Sequence, residues 1–560
     1  MKSYSKVTGC MAMIGFDRNV ATNKITVYAF EDAHNHPLTE FNEENICSPN
    51  HPLSIFDQEL IVKASTINIG ATKAHKLRAS LKGGYDNFPA TKNDFKNFWR
   101  DYTTIVGPND AQCVVDQLII RRDNYQNFHF QYKLDDDVLN AMFWVDETGR
   151  ENYSKFSDVI SMDATYRTNR YNMIFVPFTA INNHDKTINV GAGLISDETI
   201  ESYSWLLEAF LSSHKKKPTM ILSDMDATLS CSIAKVFQGC THRLCMWHIM
   251  SKMPSKENKW LDDMFNKRDK WIPSYFRDIP MCGLMKTTSR SESSNSFFNV
   301  FSSPTNLLVN FMFNFDTALS KQRHEQKRLD IASRDTSPQL LFPNENLKIE
   351  KHASLFSFDA KDETIECECL HFTFFGILCS HALRILIDYE IAMIPEKYIL
   401  DRWRKNIVDI GFQKINQKWR VCSTEISNLL QGATSFFEKC VESVIHDKEK
   451  LQELVNSLQQ LSETCGKDVS TRSSSIPIKD VIENIIGVPI SSDVKIKVPS
   501  EIKTKGSGKR SRIKSAAEKA IAKSLKPKRK CKGCNQFVNH DIRNCPINPS
   551  NVLRPFKKHQ

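Results

Sequence analysis

The sequence predicts an α/β multidomain chain: a mixed α/β core in its middle, a small zinc-type ββα module after it, and a disordered basic tail. Three observations predict this. Residues 158–237 alternate short apolar strand-like runs with helical runs. Cys367-Glu368-Cys369 and Cys379-Ser380-His381 put three thiols and one imidazole within fifteen residues. Residues 501–530 carry twelve Lys and Arg against two Glu, a surplus of ten that accounts for the whole formal net charge of +10 and leaves the rest of the chain balanced.

At 560 residues, the chain is expected to hold three or four domains at roughly 100–200 residues each. Its 41% apolar content suffices for ordinary cores. The start, MKSYSKVTGC, has no apolar h-region, so no secretory signal is expected. No window approaches the roughly 20 apolar residues needed to cross a bilayer, so no membrane partner is expected. The sixteen cysteines are then reduced thiols of the cytosol or nucleus, and many fall in His-containing, metal-like clusters.

The core reads element by element. Residues 158–162 form a short apolar strand ending at Asp163. Residues 173–181 (MIFVPFTAI) and 187–194 (TINVGAGL) form two more, separated by the turn cluster Asn182-Asn183-His184-Asp185, so the three pair as a meander. Tyr203, Leu206, Leu207 and Phe210 recur at helical spacing within residues 198–211. Residues 219–222 form a fourth strand that ends at Ser223-Asp224, and a helix over 228–237 follows. The order βββαβα, with a carboxylate at the end of the first and fourth strands, is that of a ribonuclease-H-like domain. There the first and fourth strands are neighbours, so Asp163 and Asp224 would face one another. A third acid, for which Glu292 is the candidate, would complete a site for two Mg²⁺ or Mn²⁺ ions, hard cations that bind carboxylate oxygens and activate water against a phosphodiester.

Zinc takes four soft or borderline ligands in a tetrahedron, and three Cys with one His is a closed structural set. Cys367, Cys369, Cys379 and His381 supply it. The apolar connector LHFTFFGIL, residues 370–378, is expected to form a strand and turn that return the second ligand pair, and the run after His381 is expected to form a helix. The pattern resembles the SWIM zinc finger.

Further stretches resemble a MULE transposase domain: Asp163-Ala164-Thr165-Tyr166-Arg167-Thr168-Asn169, Ser223-Asp224-Met225-Asp226, His242-Arg243-Leu244-Cys245-Met246-Trp247-His248 and Ser289-Arg290-Ser291-Glu292-Ser293. Together with the downstream finger and with Ile394-Pro395-Glu396-Lys397-Tyr398 and Arg402-Trp403, the chain resembles the plant far-red impaired response / far-red elongated hypocotyl family over most of residues 1–410. Members of that family are domesticated Mutator-like transposases that regulate transcription in the nucleus. The resemblance implies that Asp163, Asp224 and Glu292 occupy the transposase acidic positions as a relic. It also implies that Cys245 and His248 match a family Cys-x-x-His that could ligate a metal. The family carries a longer helical insertion between these and the third acid, which is short here.

The family also has an N-terminal DNA-binding finger related to WRKY and GCM domains. Cys10 and the pair His34 and His36, reached through an extended hairpin at residues 24–30, resemble its second half. The family's further Cys lies upstream of this point, so three ligands and a partial finger are expected. After the basic run, Cys531, Cys534, His540 and Cys545 resemble a zinc knuckle with one extra residue before the His. Val444, Leu451, Leu454, Leu458 and Leu461 fit either a short dimerising coiled coil or an ordinary amphipathic helix. The basic clusters Lys509-Arg510-Ser511-Arg512 and Lys526-Pro527-Lys528-Arg529-Lys530 suit a nuclear import receptor or nucleic acid.

The expected division is a partial DNA-binding finger at 1–45, a helical linker region at 60–145, the transposase-like domain at 155–300 and the SWIM finger at 350–390. A helical region at 391–470, a basic disordered linker at 471–530 and the knuckle at 531–546 follow. The expected function is a zinc-binding, DNA-associated regulator in the nucleus that is not an enzyme, with DNA, an import receptor and homo- or hetero-oligomers with family members as partners. The alternatives are an active DDE-type transposase and a protein-interaction module that does not touch DNA.

Overall fold

The computed structural model describes residues 12–19, 24–35, 53–251, 259–285, 302–334, 356–359, 361–391, 393–405, 407, 424–444, 446–467, 477–499, 529–530 and 537–538. It divides into a large unit, residues 1–502, and a small one, residues 503–560.

The large unit begins with an antiparallel hairpin, β1 (Met13–Asn19) and β2 (Lys24–Glu31). Four helices follow: α1 (Ile55–Ser65), α2 (Ala71–Leu81), α3 (Lys92–Val106) and α4 (Asp110–Asn124). Local signals explain their starts. Ser54 and Asp57, and Thr91 and Asp94, form reciprocal capping boxes at α1 and α3.

The stretch expected to be a helical linker then turns into sheet. β3 (His129–Asp135) and β4 (Val138–Val145) form a hairpin whose turn sits on two left-handed residues, Asp136 and Asp137. The reading of 60–145 as a helical region is thus corrected over residues 129–145, which are sheet. Phe130 and the apolar run of β4 are buried in the main sheet, which is where their alternating hydrophobes find cover.

After α5 (Glu147–Phe156) come β5 (Val159–Met162), β6 (Ile174–Ile181), β7 (Thr187–Ile195), α6 (Ile200–His214), β8 (Met220–Ser223), α7 (Ala227–Val236) and β9 (Thr241–Leu244). The sheet has seven strands in the order β3-β4-β7-β6-β5-β8-β9. The strands from β3 to β5 pair antiparallel, and β5, β8 and β9 pair parallel. Every residue of β5, β6 and β8 is buried, the mark of strands covered on both faces.

Alternation along the strands sorts the two faces. Phe143, Ile160, Val176, Phe178 and Ile221 pack beneath α5, α6 and α7. On the opposite face, Met142, Trp144, Phe175 and Leu194 join α3, α4 and a 27-residue helix, α10 (Leu308–Arg334). Between β9 and α10 lie α8 (Met246–Ser251), α9 (Lys259–Asn266) and three short 3₁₀ turns ending at Cys282–Leu284. α10 is held across the sheet by Phe311 and Phe315 against Phe175, by Arg121 to Asp316 at 2.5 Å, by Arg323 to Asp146, and by His184 to Asp330 at 2.6 Å. Its N-terminus is capped from α4, where the buried Asp110 carboxylate accepts the N–H groups of Leu308 (2.6 Å) and Val309 (2.9 Å). Burial pushes that carboxyl up to about 6, against the lowering effect of those two N–H groups.

The finger region holds β10 (Phe356–Asp359), β11 (Thr364–Cys367), α11 (His371–Phe375) and α12 (Ser380–Asp388). Farther on are α13 (Thr424–Val444) and α14 (Lys448–Lys467). Val444 ends α13, whereas the other four members of the apolar stripe share α14; Leu458 and Leu461 are exposed there.

A second correction concerns residues 471–530, expected to be a disordered linker. Within them α15 (Ile478–Ile486) and the residues after it are folded onto the α3–α4 side of the core through Ile482, Ile486, Val488, Ile490 and Ile496. Gln117 donates to the Ile486 carbonyl at 2.5 Å, and Lys497 makes a parallel bridge with Val138 at the start of β4. In the small unit, Arg529–Lys530 pairs with Phe537–Val538.

Candidate metal centre and acidic strand ends

The finger brings its four expected ligands together. The ligand atoms of Cys367, Cys369, Cys379 and His381 all lie within 4.8 Å of one another. Among the described residues this is the one group of three or more His, Cys, Asp or Glu side chains close enough to hold an ion. Cys367 Sγ and His381 Nδ1 are 3.6 Å apart, close to the roughly 3.5 Å S···N edge of a zinc tetrahedron with Zn–S of about 2.3 Å and Zn–N of about 2.0 Å. A donor set of three sulfurs and one imidazole nitrogen fits zinc.

Each ligand is held by local structure. Cys367 ends β11, which pairs with β10 in register Phe356↔Cys367. The Cys367 carbonyl accepts the Leu370 N–H at 2.9 Å, closing a turn that carries Cys369. Cys379 is the N-cap of α12, where its sulfur accepts the Ala382 N–H at 3.3 Å, and His381 sits in the first turn of that helix. A thiolate at a helix N-terminus is favoured by the dipole. Burial raises Cys369, but hydrogen bonds to His381, to the His371 N–H and to the neighbouring thiols outweigh it and bring it down to about 7. Burial, followed by the proximity of Cys369, pushes Cys379 up to about 12.

The connector is not the strand that was expected. Residues 371–375 form helix α11, entered through Leu370 (φ 52°) and left through Gly376 (φ 71°), both left-handed. The two strands of the module lie upstream instead, in the β10–β11 hairpin. The reason is tertiary: aromatic residues of α11 face other elements, Phe372 packing on Tyr398 (5.1 Å) and Phe374 joining the buried cluster of β5 and β8.

The acidic residues behave differently. The parallel register Val159↔Met220, Ile160↔Ile221, Ser161↔Leu222 puts Asp163 and Asp224 at matching positions just past the ends of β5 and β8. Asp163 is buried and Asp224 half-buried. The Asp226 N–H donates to Asp224 at 3.2 Å, and Asp226 caps α7 by accepting the Leu229 N–H at 2.7 Å. A backbone bridge from Thr165 to Phe175 holds the segment that carries Asp163. Glu292 lies outside the described residues.

One contact beside these acids has no counterpart in residue spacing. The Tyr166 hydroxyl donates to the Glu198 carboxylate, and the Tyr203 hydroxyl donates to the same oxygen at 3.4 Å. Burial, then Glu198, Asp224 and Asp226, push the Tyr166 phenol far up, so it stays a neutral donor. Glu198 precedes α6 with no motif around it, and only folding brings it to the strand ends.

Cys245 is buried just after β9, and its sulfur accepts the His248 N–H at 3.2 Å, so these two are neighbours, but no third ligating side chain joins them among the described residues. His34 is exposed after β2. Cys10, His36, Cys531, Cys534, His540, Cys545 and residues 501–528 lie outside the described residues.

The MULE transposase domain family matches residues 159–252, and the SWIM zinc finger family matches residues 352–390. FAR1-RELATED SEQUENCE 5 of Arabidopsis thaliana is 24% identical over 491 residues, covering 71% of this chain and 61% of that protein. FAR-RED IMPAIRED RESPONSE 1 of the same plant is 24% identical over 502 residues, 72% of this chain and 59% of its own length. The chain is thus similar to the far-red impaired response family across both matched segments. It is also 23% identical to FAR1-RELATED SEQUENCE 11 over 564 residues, or 85% of this chain and 82% of that protein. The chain spans less than two thirds of the length of the first two relatives. Within the family's two matched segments lie the acidic strand ends and the closed four-ligand cluster, the first on the mixed α/β sheet and the second in the finger. Among the described residues no helix is long and apolar enough to cross a membrane.

Proposed function

We propose that this chain is a zinc-binding, DNA-associated transcription regulator of the nucleus, built on a ribonuclease-H-like transposase core that no longer cuts DNA. The single observation that carries the reading is the closed Cys367, Cys369, Cys379, His381 set in a chain whose relatives are transposase-derived regulators. The strand order β7-β6-β5-β8-β9, an antiparallel trio followed by two parallel strands, supports the ribonuclease-H-like ancestry. Zinc, when bound, crosslinks the finger, with Cys367 and Cys369 holding it from the β11 turn and Cys379 and His381 from the start of α12. The basic run at 501–530 is suited to an import receptor and to DNA phosphates. A role in light-controlled development and oligomers with family members follow from the relatives' names and kinship alone.

One observation favours a second reading, an active DDE-type transposase: Asp163 and Asp224 stand in register on adjacent parallel strands. The deciding experiment uses the intact chain. Metal analysis should find zinc, DNA binding should weaken steeply with added salt, and terminal-repeat DNA should stay uncut in Mg²⁺ or Mn²⁺. Metal-dependent strand cleavage that disappears in Asp163→Asn would replace the regulator reading with the transposase one. Zinc-free protein that binds no DNA would remove the regulator reading outright.

A further inference from the structure

The two faces of the main sheet are covered unequally. One face lies under α5, α6 and α7 from β4 to β8. On the other, α4 and α10 cover β4, β7 and β6, but the residues of β5 and β8 on that side, Val159, Met220 and Leu222, pack against something else. Their cover is Phe276, Cys282 and Met285 from the 3₁₀ turns, with Phe374 of the finger helix α11 packed against the same cluster. A parallel strand pair needs both faces covered. Here the turns and the finger do the work of a missing helix.

The finger grips those turns closely. The Met281 N–H donates to the Thr373 carbonyl at 2.8 Å. Gly283 meets Phe374 and Phe375 so closely that a Cβ there would fall 2.6 Å from both rings. Arg277 donates to the backbone carbonyl of Cys369, itself one of the four ligands, at 2.6 Å. The turns in turn hold the sheet edge: the buried Arg243 of β9 donates to the carbonyls of Cys282 (3.2 Å) and Met285. The chain leaving the finger returns to the same place, where buried Arg402 donates to Asp158, just before β5, and to the Ile181 carbonyl at 2.9 Å.

We infer that zinc at the finger is a folding ligand of the β5-β8-β9 edge as well as of the finger itself. This rests on the zinc reading above. α11 hangs between Cys369 and Cys379, so the metal that fixes those two residues fixes where Phe374 and Thr373 stand. Losing the metal frees the connector, uncovers Val159, Met220 and Leu222, and loosens the turns that hold Arg243. The finger is then a strut of the core, and binding free energy at one end stabilises strands whose far ends carry Asp163 and Asp224.

Amide hydrogen exchange on the full-length, zinc-loaded protein, with and without a chelator, tests this. Chelation should speed exchange about tenfold or more at residues 219–224 and 241–245 as well as at 364–388, and leave α4 unchanged. Phe374→Ala should retain its zinc, measured as metal content, yet exchange fast at 219–224 and 241–245 even when loaded. If Phe374→Ala does not accumulate, Arg277→Ala asks the same question, with a smaller rise expected at 273–285 and 241–245. Chelation that loosens 364–388 and leaves the strands untouched overturns the inference while the zinc reading stands. Protein with no zinc in it overturns both, and metal analysis tells the two failures apart.

Discussion

The finger and the acidic strand ends are two kinds of site. In the finger, four ligands lie within fifteen residues, and a hairpin end, a turn and a helix start bring them within 4.8 Å. Each ligand needs little beyond its own neighbours. At the strand ends, Asp163 and Asp224 come from separate strands with α6 between them, and only the parallel β5–β8 pairing aligns them. The first site is local in sequence, and the second is a product of the packed sheet. The difference teaches where each is vulnerable: the finger to loss of a ligand or of metal, the strand ends to loss of packing.

The largest expected effect falls on the finger. Cys379→Ser should lower the zinc-to-protein ratio by one and melt α12, because structural zinc supplies on the order of 10 kcal/mol of folding free energy in small domains. The Ser hydroxyl can still cap α12 in place of the sulfur, so the loss reports the metal and not the cap. Metal analysis and far-ultraviolet circular dichroism check this, and unchanged zinc content would break the comparison at its first term.

Phe175→Ala probes the other term. Phe175 is buried between Trp144 and the α10 residues Phe311 and Phe315, and its backbone holds Thr165 beside Asp163. The truncation should cost about 3–5 kcal/mol by denaturant unfolding, with zinc content unchanged in excess zinc. Loss of zinc in this variant would mean that the finger is less local than its ligand spacing suggests.

A smaller effect separates packing from charge. The Asp110 carboxyl stands at about 6 in the folded protein, raised from an ordinary value near 3.8. Because the folded state holds this proton more tightly than the unfolded one, the group favours folding below about 4, and that contribution is lost as pH rises through 6. Asp110→Asn should flatten the dependence of Tm on pH between about 4 and 6. At pH 7 the removal of a buried charge and the loss of one α10 N–H acceptor oppose one another, so a small net change is expected there. An unchanged pH profile would rule out a raised Asp110.

The smallest effect is expected at the acids. Asp163→Asn with Asp224→Asn should shift stability by less than about 1 kcal/mol and leave reporter regulation intact. Loss of regulation in a protein whose circular dichroism and zinc content are unchanged would show that the acids still serve the function.

The finger's four ligands were legible in the sequence, because metal ligation restricts residue type and spacing together. The four strands β5 to β8 follow from runs too short and too apolar for surface helices, and the meander of the first three from the turn at Asn182–Asp185; β9, with His242 and Arg243 in four residues, carries no such apolar run. The β3–β4 hairpin was missed because it follows four helices and its alternation is half masked by the near-continuous apolar run of β4. The folded stretch around α15 was missed because a Ser/Thr-rich segment precedes it and the basic run follows it, and neither hints at the buried Ile482 and Ile486.

By itself the sequence determined the ligand set, the alternation of strands and helices, the two aspartates at strand ends and the concentration of positive charge at 501–530. These depend on residue type and short spacing, which local chemistry reads directly. Tertiary structure alone decided that β3 and β4 extend the sheet to seven strands, that Glu198 and Tyr166 stand beside Asp224 and that the finger connector is a helix. It also decided that Phe374 covers β5 and β8. An apolar strand face must be covered, but which distant segment covers it is settled by what fits once the whole chain has folded.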